Sequence, residues 1–243
     1  MSLPRVFVDR LPAEGESVRL SPEESAHVRA RRVKAGDRVV LFDGSGGEAV
    51  ARATRGGRSG LELVVEQVAA GQRPSGAGIT LYAAAVRLER LAWIAEKGTE
   101  LGVSRLVLVR AQRSQAFRAA APVRSRLERV ARAAAKQCGT SRWPEVAGPL
   151  PAEEAFLADD SRHRVLLDPS GAVFASALEP AASALAVGPE GGWTRSEIDA
   201  AVACGWMLAR LPAGKLRAET AAIAGLTLLA AALERGARGA TLV

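Results

Sequence analysis

The segment Gly188-Pro189-Glu190-Gly191-Gly192 puts three glycines, a proline and one carboxylate directly after the apolar run Ala184–Val187. Backbone without a Cβ can approach a ligand closely, so such a segment can offer its N–H groups to a flat or anionic edge. The residues just downstream should hold it in one shape. Thr194 reads as a helix N-cap, Glu197 as its capping-box partner, and Trp193 as a staple onto Ile198. A second segment, Leu211-Pro212-Ala213-Gly214-Lys215-Leu216-Arg217-Ala218-Glu219-Thr220-Ala221, gathers a cation, an anion and a hydroxyl at a helix start. Unpaired N–H groups at such a start can bind a polar ligand edge. The plainer readings are a glycine-rich turn and a capped helix with a surface ion pair. A third segment, Leu166-Leu167-Asp168-Pro169-Ser170-Gly171, reads as a strand end and a structural turn.

These segments need a scaffold, and the pattern after the Gly- and Pro-rich seam Ala69–Gly78 supplies one. Apolar strands are expected at Ile79–Ala85, Leu106–Val109, Val165–Leu167 and Ala184–Val187. They alternate with helices at Arg87–Leu101, Val123–Gln137, Thr194–Ala203 and Glu219–Leu233, with a frayed tail from Arg235. Such alternation predicts an α/β domain with a parallel sheet covered on both faces, over residues 73–243. Ligands of such sheets bind at the carboxyl ends of the strands, where all three segments fall. Residues 1–72 differ. Short strands at Arg5–Val8, Arg38–Phe42 and Leu61–Val65 and a hairpin turn at Asp43–Gly47 surround one helix, which opens at Ser21-Pro22-Glu23-Glu24. That predicts a small β module with a basic helix carrying Arg29, Arg31 and Arg32.

Charge points to the partner. The net charge is +7, and between Arg110 and Arg142 nine Arg and Lys side chains face one acid, Glu128. So one-sided a segment suits phosphate neutralisation, with a solvated helix face as the plainer alternative. No GxGxxG follows a strand, and GxxxxGK[ST] and GxSxG are missing, which argues against a dinucleotide oxidoreductase, a P-loop enzyme and an α/β-hydrolase. Cys138, Cys204, His27 and His163 show no metal-ligand spacing, so no metal is expected. No apolar run reads as a membrane span, and the N-terminus does not read as a secretion signal, so a cytoplasmic protein is expected.

The pair of motifs Gly188–Gly192 and Leu216-Arg217-Ala218-Glu219-Thr220-Ala221 resembles the SPOUT, or trefoil-knot, RNA methyltransferases. Glu96-Lys97-Gly98-Thr99-Glu100-Leu101-Gly102-Val103 agrees, as does Lys136-Gln137-Cys138-Gly139 ahead of Trp143-Pro144-Glu145. The resemblance implies a knotted α/β domain behind an N-terminal PUA-like β-barrel domain. It implies a homodimer using S-adenosylmethionine to methylate N3 of a uridine in 16S ribosomal RNA of the small subunit. Motif matching implies Leu166, Leu167, Gly188, Pro189, Glu190, Gly191, Gly192, Leu211, Leu216, Thr220 and Ala221 as cofactor contacts. Arg217 would stabilise a uracil anion and Glu219 would take the N3 proton; alternatively, an Arg217–Glu219 pair only holds the loop. RNA contacts are expected from Arg29, Arg31, Arg32, Arg113, Arg124, Arg132, Lys136 and Arg142. The loop at Leu211–Arg217 departs from the pattern usual in the family, as does Thr140 where an arginine is common. Another ribosomal or transfer RNA target, or a non-catalytic RNA-binding protein of the same fold, is the alternative.

Overall fold

A computed structural model of the chain describes residues 3–55, 61–70, 78–84, 86–114, 120–174, 178–179 and 181–240. Most of the seam lies outside them. The chain forms two compact units: Met1–Arg73 with Ala135–Arg142, and Pro74–Ala134 with Trp143–Val243.

In the first unit, β1 (Arg5–Phe7), β2 (Ser17–Val18), β3 (Arg38–Phe42), β4 (Gly47–Arg55) and β5 (Leu61–Ala70) form one sheet in the order β1-β3-β4-β5-β2. Only the β1–β3 pair is parallel. Val39 and Leu41 of β3 and Ala49, Ala51 and Ala53 of β4 point the same way and are buried with Val28 of α1 (Pro22–Ala30). The Ser21 hydroxyl caps α1 by accepting from the Glu24 N–H at 3.2 Å. Residues 135–142 were not expected in this unit. They are fixed there by polar contacts: Lys136 pairs with Glu24, whose side chain is 4% exposed, and Arg5 donates to Ser141 Oγ at 2.7 Å.

In the second unit, β6 (Ile79–Ala84), β7 (Val103–Arg110), β8 (Glu145–Pro151), β9 (His163–Val173), β10 (Ser183–Val187) and β11 (Met207–Arg210) form an all-parallel sheet. The order β11-β9-β10-β6-β7-β8 shows that the chain builds outward from β6 through β7 and β8, then returns to β6's other side. Strand periodicity separates two cores. Leu81, Leu106, Leu108, Val165, Leu167, Leu185 and Val187 belong to one, with the buried faces of α2 (Leu88–Glu100) and α6 (Ala218–Ala240). Tyr82, Val107, Val109, Leu166, Ala184 and Ala186 belong to the other, with α4 (Ala152–Leu157), α5 (Arg195–Ala203), Trp193 and Trp206. The Tyr82 hydroxyl donates to Asp159 at 2.9 Å, and burial together with that carboxylate pushes the phenol's pKa up. The helix α3 (Ala120–Cys138) carries the basic segment.

Two expectations need correction. The tail from Arg235 continues α6 as far as Ala240 instead of fraying at Arg235. Ala218–Ala237 is also a 20-residue stretch of mean hydropathy 1.2, long and apolar enough by length and composition to cross a membrane. Its many alanines hide the run from the eye. Ala222, Leu226, Leu229 and Leu233 are buried in the core that α6 shares with the sheet and α2.

Candidate active site

A cavity of about 570 Å³ opens at the carboxyl ends of β10 and β11 and beside the middle of β9. It lies beside the reversal of strand order, the place where open α/β sheets bind ligands. The three segments singled out in the sequence form its walls: Leu167–Pro169, Val187–Trp193, and Ala209 to Ala221 with gaps.

The glycine-rich loop is built from β10 outward. The Gly192 N–H donates to the Pro189 carbonyl at 2.8 Å and closes a turn, and φ at Gly192 is +70°, which favours glycine there. At Gly188 a Cβ would lie 3.0 Å from Trp193 Nε1. That indole is 4% exposed and stacks edge-on to Phe156 at 5.5 Å. The N–H groups of Glu190 and Gly191 donate to no acceptor among the described residues. Behind the loop sits the capping box. Glu197, fully buried, accepts the Thr194 N–H at 2.7 Å and its hydroxyl at 2.9 Å. Its other oxygen accepts the Gln112 N–H at 2.7 Å, a partner from the turn after β7.

The turn at Asp168 does more than end a strand. Leu166 pairs with Leu208 and Leu167 with Val187 of β10, but Ala172 pairs with Ala209, so residues 168–171 bulge out of β9. Asp168 Oδ1 accepts from Ser170 N at 2.9 Å and Ser170 Oγ at 2.6 Å, which fixes the bulge against the cavity.

Nine of the residues implied as cofactor contacts share this cavity wall: Leu167, Gly188, Pro189, Glu190, Gly191, Gly192, Leu211, Leu216 and Ala221. Two do not. Leu166 points to the opposite face of the sheet and is fully buried there, because successive strand residues alternate faces. Thr220 is exposed outside the wall, since helix geometry puts Ala218 and Ala221 on one face and turns Thr220 away. Arg217 is exposed between the lining residues Leu216 and Ala218. Glu219 pairs with Arg90 of α2 at 3.6 Å, so the partner expected at Arg217 is replaced. Arg90 also pairs with Glu190, joining the glycine-rich loop to the start of α6. Glu219 Oε2 is buried without a hydrogen-bond partner among the described residues.

The residues expected to meet RNA fall into three groups. Arg29, Arg31 and Arg32 are exposed at the end of α1, and Arg124 is exposed on α3 beside Glu128. Arg132 lies over the Trp143 ring at 5.6 Å, and Arg142 packs against Gly46. Lys136 is held by buried Glu24, and Arg113 donates to the carbonyls of Gly191 at 2.9 Å and Trp193 at 3.4 Å. Sequence reasoning missed the last two roles and Arg90, because no local spacing links partners so far apart.

The walls suit a ligand with a flat, mostly apolar body and a polar edge. Leu167, Val187, Leu211 and Leu216 supply apolar surface, and the glycine-rich backbone supplies free donors. The RNA methyltransferase domain family matches residues 73–230, and the RNA methyltransferase PUA domain family matches residues 20–66. The chain belongs to the RNA methyltransferase family. This RNA methyltransferase is 30% identical to ribosomal RNA small subunit methyltransferase E of Mycobacterium bovis, over 90% of this chain and 88% of that one. It is 31% identical to the Synechocystis protein of the same name, over 85% of this chain and 70% of that one. Its fold matches the Neisseria gonorrhoeae ribosomal RNA small subunit methyltransferase E, solved bound to S-adenosyl methionine. The TM-score is 0.85 with 26% identity, covering 94% of this chain and 97% of that one. The SPOUT resemblance read from the motifs therefore stands.

Proposed function

We propose that this protein transfers a methyl group from S-adenosylmethionine to N3 of a uridine in 16S ribosomal RNA of the small subunit, acting in the cytoplasm as a homodimer. The observation that carries the reading is the cavity walled by the Gly188–Trp193 loop and the start of α6. S-adenosylmethionine supplies an electrophilic methyl group on a sulfonium sulfur. The apolar walls hold the adenosine part, and the unused N–H groups of Glu190 and Gly191 meet its polar edge. Uracil N3 carries a weakly acidic proton that must pass to water before N3 attacks. A nearby cation stabilises the uracil anion so formed, and methylation then neutralises it as S-adenosylhomocysteine leaves. Arg217, exposed at the cavity rim, takes that role. Glu219 faces Arg90 rather than the cavity, so we assign it to holding the loop rather than to removing the proton. Arg29, Arg31, Arg32 and Arg124 are the exposed cations for RNA phosphates.

Calorimetry with S-adenosylmethionine and S-adenosylhomocysteine, beside methylation of small subunits, naked 16S RNA and transfer RNA, tests the reading. Micromolar cofactor binding and methyl-N3-uridine in 16S RNA alone are expected. Binding with methylation only of transfer RNA would move the target, and no binding would sink the enzyme reading. Arg217→Ala should lower kcat by about 100-fold while the cofactor Kd stays within about two-fold. Loss of cofactor binding without loss of kcat at saturation would remove Arg217 from the chemistry.

A further inference from the structure

We propose that Arg113, although it lies in the basic segment, is a positioning residue that shapes the glycine-rich loop of the cofactor cavity; the link to cofactor affinity rests on the proposed methyl transfer. Its guanidinium donates to two carbonyls of that loop, Gly191 at 2.9 Å and Trp193 at 3.4 Å. Its stem lies along the loop as well. A Cβ on Gly191 would meet Arg113 Cβ at 3.2 Å and Cδ at 3.3 Å, so glycine and arginine fit as a pair. The neighbouring residue extends the contact, with the Gln112 N–H on Glu197 at 2.7 Å and the Gln112 amide on Ser196 Oγ at 3.3 Å. The turn after β7 is therefore docked along residues 191–197.

The physical need is plain. A loop with three glycines in five residues has the largest conformational entropy to lose on ordering, and any ordering left to the ligand weakens binding. Both bonds leave from Nη1, whose two N–H groups lie fixed in the guanidinium plane, so one nitrogen holds two carbonyls that accept from no backbone N–H among the described residues. With those carbonyls drawn toward Arg113, the loop keeps its shape before a ligand arrives. A guanidinium so engaged has less to offer a phosphate.

The test compares Arg113→Ala, Arg113→Lys and Arg124→Ala in the full-length protein. In ligand-free protein, hydrogen exchange of the peptide covering Pro189–Thr194 should quicken about ten-fold in Arg113→Ala, because the loop opens locally more often. The cofactor Kd should rise about ten-fold, with kcat near normal at saturating cofactor. Arg113→Lys keeps one charged donor and should recover part of both effects. RNA affinity and its salt dependence should hold in Arg113→Ala but fall in Arg124→Ala, with the salt slope reduced by about one. Unchanged exchange and cofactor affinity, with RNA binding weakened and its salt slope reduced in Arg113→Ala, would make Arg113 a phosphate ligand and overturn the proposal. No restoration by lysine would overturn it too. If wild-type protein binds no S-adenosylmethionine, the cofactor reading fails, while the exchange comparison still decides the role of Arg113.

Discussion

Glu197→Ala is expected to lower folding stability by about 3–5 kcal/mol and to abolish cofactor binding at millimolar ligand. The carboxylate is fully buried and no cation pairs with it among the described residues. It is held instead by three donors: the Thr194 N–H and hydroxyl on one oxygen and the Gln112 N–H on the other. It also sits in the first turn of α5, where the helix dipole favours negative charge. Alanine leaves two backbone N–H groups and a hydroxyl without their acceptor, and a hydrogen bond to a charged group is worth roughly 1.5–3 kcal/mol. The damage falls on the cavity because Thr194 ends one side of the glycine-rich loop and Gln112 precedes Arg113. Glu197→Gln keeps the shape, yet its amide group turns a donor toward one set of donors, so about half the loss should remain. Urea unfolding with calorimetry checks both variants. A loss under about 1 kcal/mol for alanine would show that the carboxylate does not organise the loop.

How much of this could be read from the sequence depends on the distance between partners. The strand Ala184–Val187, the glycine-rich loop and the Thr194–Glu197 capping box were legible because each is written within a few residues. The box appears with both of its hydrogen bonds. Which face a residue takes was harder. Assigning Leu166 and Leu167 together to the cavity ignored the strand period that places them in different cores. The Arg90–Glu190 and Arg113–Gly191 contacts join residues 100 and 78 positions apart, and no local pattern announces them. β4, β8 and β11 were not anticipated either. β8 contains Gly148 and two prolines, β11 has only four residues, and in β4 arginines and small residues mask the alternation. The bulge at Asp168 looked like a strand end because Pro169 and Gly171 are turn residues. Only the pairing with β11 shows the strand resuming after them.

Three glycines around the cavity should respond differently to alanine, and their order tests how the walls are built. At Gly214 a new Cβ meets nothing within 4 Å, so stability should change by less than about 0.5 kcal/mol. At Gly188 it would lie 3.0–3.3 Å from the buried Trp193 indole, which is braced by Phe156 and cannot swing aside. Overpacking of that kind costs about 1–3 kcal/mol, and here it also pushes the loop into the space the ligand needs. Gly171 is the extreme case. Its Cβ would sit 2.6 Å from the Ala209 N and the Leu208 carbonyl carbon, which are backbone atoms of the neighbouring strand. No rotamer relieves a clash with backbone, so β9 and β11 would have to part where the bulge ends and their pairing resumes. Gly171→Ala should therefore cost more than about 3 kcal/mol and loosen Leu167, Asp168 and Pro169 from the cavity wall. Denaturant midpoints for the three variants give the order directly. If Gly171→Ala proved as mild as Gly214→Ala, β9 and β11 would not approach each other this closely, and the bulge could not be what holds Asp168 at the cavity.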